Sequence, residues 1–265
     1  MSPDMIDAVP RRPAPAVPRA VGRILALALA LAPVRAGAVV GGSDDQGPLS
    51  RTTVMVLNSR GGVCSGIVVA QDAILTAAHC ATGTDQYRIH LPGGGGSPIL
   101  IEPSAITVHP GYDRGAAKAR RRSIDLALIR TATALPAGFS AATLTTAFPA
   151  KGAAVSLGGY GVSREGDPRS TGTFRTAALA AVEPYGPGRI LLWAASSGGG
   201  ASGACEGDSG GPIASAGGAV AAVSTWATGR GRARCGEMSQ GVLVAPQRAW
   251  IDRTLSGWGR AASWE

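Results

Sequence analysis

The sequence predicts an all-β fold: two six-stranded antiparallel β-barrels followed by a C-terminal helix. Three observations carry that prediction. Apolar residues make up 45% and charged residues only 16% of the 265 positions, enough to bury a sizeable core. Glycine is abundant, at 39 residues, while aromatics are only 5%, which suits many short elements joined by tight turns. Short apolar or β-branched runs alternate with turn residues in two sets of six.

The first 38 residues read as a leader rather than as part of the fold. Arg11, Arg12, Arg19 and Arg23 precede the apolar run 24–32, and Pro33 and the small-residue site Ala36-Gly37-Ala38 follow. A charged start, a short apolar centre and an A-x-A site form the secretory signal pattern, which a buried core helix fits less well. The run is too short to span a bilayer, which takes about 20 residues. A cut after Ala38 makes the chain a secreted protein, periplasmic or extracellular, that begins at Val39. Met5 offers a second initiator. No later apolar stretch is long enough for an anchor, so no stable membrane insertion is expected. Five Arg and two Asp lie in the leader, so three of the eight formal positive charges leave with it. The basic runs that remain are not interleaved with aromatics, and no nucleic-acid partner is expected.

The first barrel is assigned to residues 39–140. Its strands are expected at 52–58, 65–69, 73–76, 87–91, 99–107 and 126–129. Residues 132–151 contain no convincing strand and join the halves. The second barrel and the terminal helix are assigned to residues 141–265. Strands are expected at 154–158, 171–182, 190–194, 212–214, 219–226 and 241–244. The helix is expected over 246–255, with Pro246 at its start and Ala249, Trp250, Ile251 and Leu255 as its apolar stripe.

Four cysteines follow the leader: Cys64, Cys80, Cys205 and Cys235. An even number in an exported chain points to disulfides, and four cysteines allow three pairings. No C-x-x-C occurs and no histidine is suitably spaced, so no metal and no cofactor are expected.

Three segments carry chemistry: Leu75-Thr76-Ala77-Ala78-His79-Cys80, Ser123-Ile124-Asp125-Leu126-Ala127-Leu128 and Cys205-Glu206-Gly207-Asp208-Ser209-Gly210-Gly211-Pro212. Each alone has a bland reading: a core histidine, a strand-edge acid, a tight turn. Together they supply a base, an acid and an alcohol. A serine hydroxyl is a poor nucleophile unless a neutral imidazole takes its proton, and a carboxylate holds the imidazole's tautomer. Glycines beside the serine let backbone N–H groups turn toward a developing oxyanion. Gly207-x-Ser209-x-Gly211 also matches the nucleophile elbow of α/β-hydrolases, but that fold places its histidine after the serine. Here His79, His90 and His109 all precede Ser209. The order His, Asp, Ser also differs from that of subtilisin and is that of chymotrypsin.

From Val39 to the terminal helix, the chain resembles the chymotrypsin/trypsin family of serine endopeptidases. T-A-A-H-C, D-L-A-L and G-D-S-G-G-P in this order carry the resemblance. Val39-Val40-Gly41-Gly42 resembles the family's mature N-terminus. Val108-His109-Pro110-Gly111-Tyr112 resembles its approach to the acid, and Gly159-Tyr160-Gly161 its G-W-G turn. The resemblance implies a chymotrypsin-like fold, with His79 as general base, Asp125 as its orienter and Ser209 as nucleophile. It implies an oxyanion hole from the amides of Gly207 and Ser209, and disulfides Cys64–Cys80 and Cys205–Cys235. It also implies an activating ion pair between a freed Val39 amine and Asp208. Relatives expose that amine by cutting after Arg or Lys. Here Ala38 stands in that place, so signal peptidase itself is expected to expose Val39. The signal and the missing basic residue resemble a bacterial member.

The family's pocket floor lies six residues before the nucleophile, which gives Gly203. The far wall is expected at Gly241. The near wall is Ala227 if Thr225-Trp226-Ala227 matches the family's Ser-Trp-Gly. If instead Ser224 keeps the serine position, Trp226 crowds the pocket. Either register gives a neutral, apolar pocket and cleavage after small or medium apolar residues. The basic runs 118–122 and 230–234 are expected to border the cleft. They read as solvated charge or as an attraction for anions, with Glu206 opposing the latter. The expected function is peptide-bond hydrolysis in protein or peptide substrates by a monomer. The alternative is a catalytically weak protease-fold binding protein that uses its basic loops on anionic surfaces.

Overall fold

The computed structural model describes residues 39–265 apart from 84, 93–96, 120, 185 and 199. The signal-peptide reading of residues 1–38 lies outside the described residues. After a two-residue strand β1 (Ser43–Asp44), seven strands form one sheet. They are β2 (Thr53–Asn58), β3 (Val63–Ala70), β4 (Ala73–Thr76), β5 (Tyr87–Leu91), β6 (Ile99–Ile101), β7 (Pro103–Val108) and β8 (Ala127–Thr131). Their order is β6-β5-β2-β3-β4-β8-β7, with every pair antiparallel. Only Glu102 separates β6 from β7 in the chain, so the two ends of that order meet and the sheet closes into a barrel. The single strand expected over 99–107 is thus two. Pro103 has no N–H to give a ladder, and the register slips between Pro103 and Ala105.

The second sheet contains β9 (Thr143–Leu144), β10 (Ala154–Gly159), β11 (Arg175–Val182), β12 (Leu191–Ser196), β13 (Pro212–Ser215), β14 (Val220–Thr228), β15 (Met238–Leu243) and β16 (Ser263–Trp264). Strand β13 pairs with both β10 and β14, so β10-β11-β12-β15-β14-β13 closes as a six-stranded ring. Strand β9 adds to β14 and β16 to β9, both in parallel, and the N-terminal β1 pairs with β11. β11 starts later than expected, at Arg175, because Pro168–Ser170 forms a 3-10 turn and Gly172 takes φ +91°. β15 starts earlier than expected, at Met238, because it is paired on both sides by β12 and β14.

A 3-10 turn at Ala245–Gln247 takes up Pro246, and the helix runs Arg248–Gly257. Trp250, Ile251 and Leu255 are buried, but Ala249 is exposed and does not belong to the apolar stripe. A helix turns about 100° per residue, so the position before Trp250 faces away from a stripe that runs on to Ile251 and Leu255. One apolar cluster joins Ile67, Leu75 and Leu128 of the first sheet, Val220 and Val242 of the second, and the three buried helix residues. Each such side chain contributes roughly 1.5–3 kcal/mol on burial. The barrels are thereby packed together, and that fixes the loops at their junction.

Candidate active site

His79 sits on a 3-10 turn, Ala78–Cys80, two residues beyond the end of β4. Thr76 of β4 pairs with Ala127 of β8, so the antiparallel ladder itself brings the residues just beyond Thr76 to those just before Ala127. There Asp125 grips His79 twice. Oδ2 lies 2.7 Å from His79 Nδ1, and Oδ1 accepts the His79 main-chain N–H at 2.9 Å. The histidine side chain is 39% exposed and the carboxylate 18%, so the pair is open on the imidazole side. A disulfide, Cys64–Cys80, ties the turn to β3. Cys64, His79 and Cys80 are close enough together to suggest a metal cluster, but both sulfurs are in that disulfide and offer no thiolate.

The serine loop comes from the other barrel. Gly207 takes φ +96°, and a Cβ there would lie 2.7 Å from Gly161 Cα. Gly210 takes φ +86°, and a Cβ there would lie 2.0 Å from the Ser65 carbonyl and 2.2 Å from Thr76 Oγ1. Glycine is required at both positions for conformation and for close approach. The Ser209 carbonyl accepts from Ser65 N–H at 2.7 Å and lies 3.7 Å from Cys80 Sγ, which puts the loop beside the histidine turn. The N–H groups of Gly207 and Ser209 donate to no described protein group. Among the described residues no hydrogen bond joins Ser209 Oγ to His79. Such bonds are often long in a free enzyme and tighten on substrate.

Ser65 escaped sequence reasoning. Its hydroxyl donates to the Gly207 carbonyl at 2.9 Å and accepts from Tyr160 N–H at 2.9 Å. Only its place next to Cys64 hinted at a role.

Asp208 is wholly buried. Its Oδ1 accepts from Gly161 N–H and its Oδ2 from Cys205 N–H, both at 2.9 Å. A Cβ on Gly159 or Gly161 would strike this carboxylate at 2.3 or 2.6 Å, which explains the Gly-Tyr-Gly turn physically. Burial pushes the Asp208 carboxyl up to about 7, against the two N–H groups and the charge of Arg175. Among the described residues no cation is in ion-pair contact with it. Val39 is fully buried in the core of the second barrel and takes φ +56°, rare for a β-branched residue. Val40 bridges to Gly203, whose N–H donates to the Val40 carbonyl at 2.9 Å.

Gly203 and Ala227 converge on Ser239, not on Gly241. A Cβ on Gly203 would lie 2.8 Å from Ser239 Oγ, and Ala227 is the cross-strand partner of Ser239. Gly241 packs instead against Ile213, Val223 and Ala222 and stands opposite Ser224. The residue beside Gly203 and Ala227 is therefore Ser239, two positions before the expected Gly241. The cause is a register shift between Ser224 and Trp226, which no spacing count reveals. Trp226 is half-exposed and meets Trp193 edge-on with centroids 6.0 Å apart.

Two barrels, a histidine–carboxylate pair at the end of one and a glycine-bent serine loop in the other make the architecture of a serine endopeptidase. The family model described as Trypsin matches residues 39–251, and the chain belongs to that family. Trypsin delta of Drosophila erecta is 28% identical over 240 residues, covering 84% of this chain and 90% of the relative. Trypsin alpha of Drosophila melanogaster is 27% identical over 243 residues, covering 85% and 91%. Two solved structures share the fold. Neuropsin, a serine protease expressed in the limbic system of mouse brain, gives a TM-score of 0.66 at 22% identity, over 82% of this chain and 99% of that one. Human heparin binding protein gives 0.69 at 20% identity, over 85% and 100%. The sequence relatives are insect proteins and lend the expectation of a bacterial source no support. No helix among the described residues is long and apolar enough to cross a membrane.

Proposed function

We propose that the chain is an exported serine endopeptidase in which His79, Asp125 and Ser209 form the catalytic triad. The observation that carries this is the double hold of Asp125 on the His79 ring and backbone. With Nδ1–H donated to Asp125, Nε2 of a neutral His79 is left as a base. It takes the Ser209 hydroxyl proton as Oγ bonds to the scissile carbonyl carbon. The carbonyl oxygen becomes the oxyanion, received by the unengaged amides of Gly207 and Ser209. The imidazolium then protonates the leaving amine as the C–N bond breaks. Water attacks the acyl-enzyme by the same route in reverse.

Activation rests on Val39 and Asp208. A freed Val39 amine would supply the cation that the buried Asp208 carboxylate lacks. Cutting the Ala38–Val39 bond also abolishes the strained φ of Val39, a relief of about 1–3 kcal/mol. Ala38 closes an A-x-A site, so export and activation are one event. The pocket of Gly203, Ala227 and Ser239 is lined by uncharged residues and favours cleavage after small or medium apolar residues.

The test is cleavage-site profiling of a mixed peptide library by the exported protein, with Ser209→Ala as control. Serine-dependent cuts after Ala, Val or Leu are expected. Cuts after Arg or Lys would overturn the neutral pocket. Absence of any Ser209-dependent cut, with salt-sensitive binding to anionic polymers kept by Ser209→Ala, would favour the binding-protein reading.

A further inference from the structure

The disulfide Cys205–Cys235 brings its two sequence neighbours together, Glu206 after one half and Arg234 before the other, with the cysteine Cα atoms 5.0 Å apart. Arg234 Nη1 lies 3.0 Å from Glu206 Oε1. The same guanidinium donates through Nε to Glu165 Oε1 at 3.1 Å, and the Arg234 main-chain N–H donates to both Glu165 oxygens at 3.0 and 2.9 Å. Three loops meet here: the one after β10, the serine loop and the one after β14. Glu206 immediately precedes Gly207, whose amide is a proposed oxyanion donor, and its side chain is 59% exposed, so its carboxylate is open to solvent one residue from the proposed reacting centre. Of the other charges on these loops, Arg230 is paired with Glu237 at 3.4 Å, Arg232 is exposed and Arg164 is held by Asp167.

We infer that Arg234 is a specificity-determining residue: by occupying Glu206 it cancels a carboxylate at the cleft rim and keeps the enzyme indifferent to charge beside the scissile bond. This rests on the endopeptidase reading above. Exposed ion pairs contribute little to stability, but here stability is not the issue. A carboxylate released beside a substrate attracts a basic residue and repels an acidic one, and the two effects add in a ratio. The fold tolerates the change, because the Arg234 backbone N–H continues to hold Glu165 after the side chain is altered.

The experiment compares kcat/KM for matched peptides carrying Lys or Glu next to the scissile bond, in the parent, Arg234→Gln, Arg234→Lys and Arg234→Gln/Glu206→Gln. The Lys-over-Glu ratio should rise roughly five- to tenfold in Arg234→Gln at low salt and shrink at high salt. It should stay near the parent value in Arg234→Lys and return to it in the double variant. An unchanged ratio in Arg234→Gln, or an equal loss on both peptides, overturns the inference while leaving the endopeptidase reading intact. A parent protein with no Ser209-dependent cleavage overturns both.

Discussion

The Ser65 hydroxyl donates a 2.9 Å hydrogen bond to the Gly207 carbonyl, so a first-barrel strand holds the second-barrel loop that carries Ser209. Ser65 N–H fixes the Ser209 carbonyl at 2.7 Å, and Ser65 Oγ also receives Tyr160 N–H. One small residue therefore holds the peptide units that follow Gly207 and Ser209. The proposed oxyanion amides belong to those same residues, Gly207 and Ser209.

Replacing Ser65 by Ala removes the partner of the buried Gly207 carbonyl and of Tyr160 N–H. An unsatisfied buried group costs about 1–3 kcal/mol, and stability should fall by about that amount in urea titration. The loop also loses its aim, so kcat should drop more than KM rises. Unchanged kcat with lowered stability would leave Ser65 as a mere staple.

Asp208 makes the stability of an uncleaved chain depend on pH in an unusual direction. Its carboxyl is raised from 3.8 to about 7 by burial, so the folded state holds a proton that the unfolded state has released. Stability is then greatest below pH 4 as far as this group is concerned, and is lost as pH rises toward 7. If a chain beginning at Val39 pairs the carboxylate with its α-amine, as proposed, it should not show that loss. The melting temperatures of the Val39 form and of a form extended by Ala36-Gly37-Ala38 should diverge between pH 4 and 7. Parallel curves would remove Asp208 from the activation scheme.

The fold was legible because strand periodicity and turn residues are local signals. β4 and β5 fall at their expected bounds, and both barrels close. The His79–Asp125 contact was legible through motif and order, and it is enforced by β4–β8 pairing. What escaped were features made by register and by residues with no chemical signature. The place of Ser239 beside Gly203 was missed because a bulge at Thr225 shifts β14 against β15. Ser65 was missed because nothing local to a serine in a strand says that its partners lie 95 and 142 residues away. The exposure of Ala249 shows the opposite failure, a residue included for being apolar although helix geometry turns it outward.

Ser239 offers a direct test of the pocket. Its Oγ accepts from Ala204 N–H at 2.9 Å beside Gly203, and Ser239→Asp keeps an acceptor there while adding a charge. The free carboxylate lacks a partner until a basic side chain enters, so the variant should be less stable alone and gain in stability with a basic competitive inhibitor. Its kcat/KM for cleavage after Lys or Arg, relative to Ala, should rise at least roughly tenfold, the range one well-placed polar contact commands. The same experiment on Gly241→Asp should give no such switch. A switch there instead would restore Gly241 as the wall.

His109 supplies a second pH signal, of opposite sign to that of Asp208. Its ring is buried edge-on against Trp250 at 4.8 Å, and Nδ1 accepts the Gly111 N–H at 3.0 Å. Both favour the neutral ring, and burial lowers its pKa from 6.5. The unfolded chain then binds a proton that the folded chain refuses. Stability from this group is complete above pH 6.5 and falls as pH drops below it. The lowered carboxyls of Asp72, Asp113 and Asp167 respond only below their ordinary 3.8, so the window from pH 6.5 to 5 is not theirs. His109→Asn presents an oxygen where Nδ1 stood and carries no titrating ring. It should lose stability at every pH through poorer packing on Trp250, yet show a flatter melting curve between pH 6.5 and 5 than the parent. Because the His109 N–H bonds the Leu126 carbonyl, beside Asp125, a parent that loosens in acid should also lose activity on this limb before it unfolds. An equally steep limb in His109→Asn would mean that another group carries it.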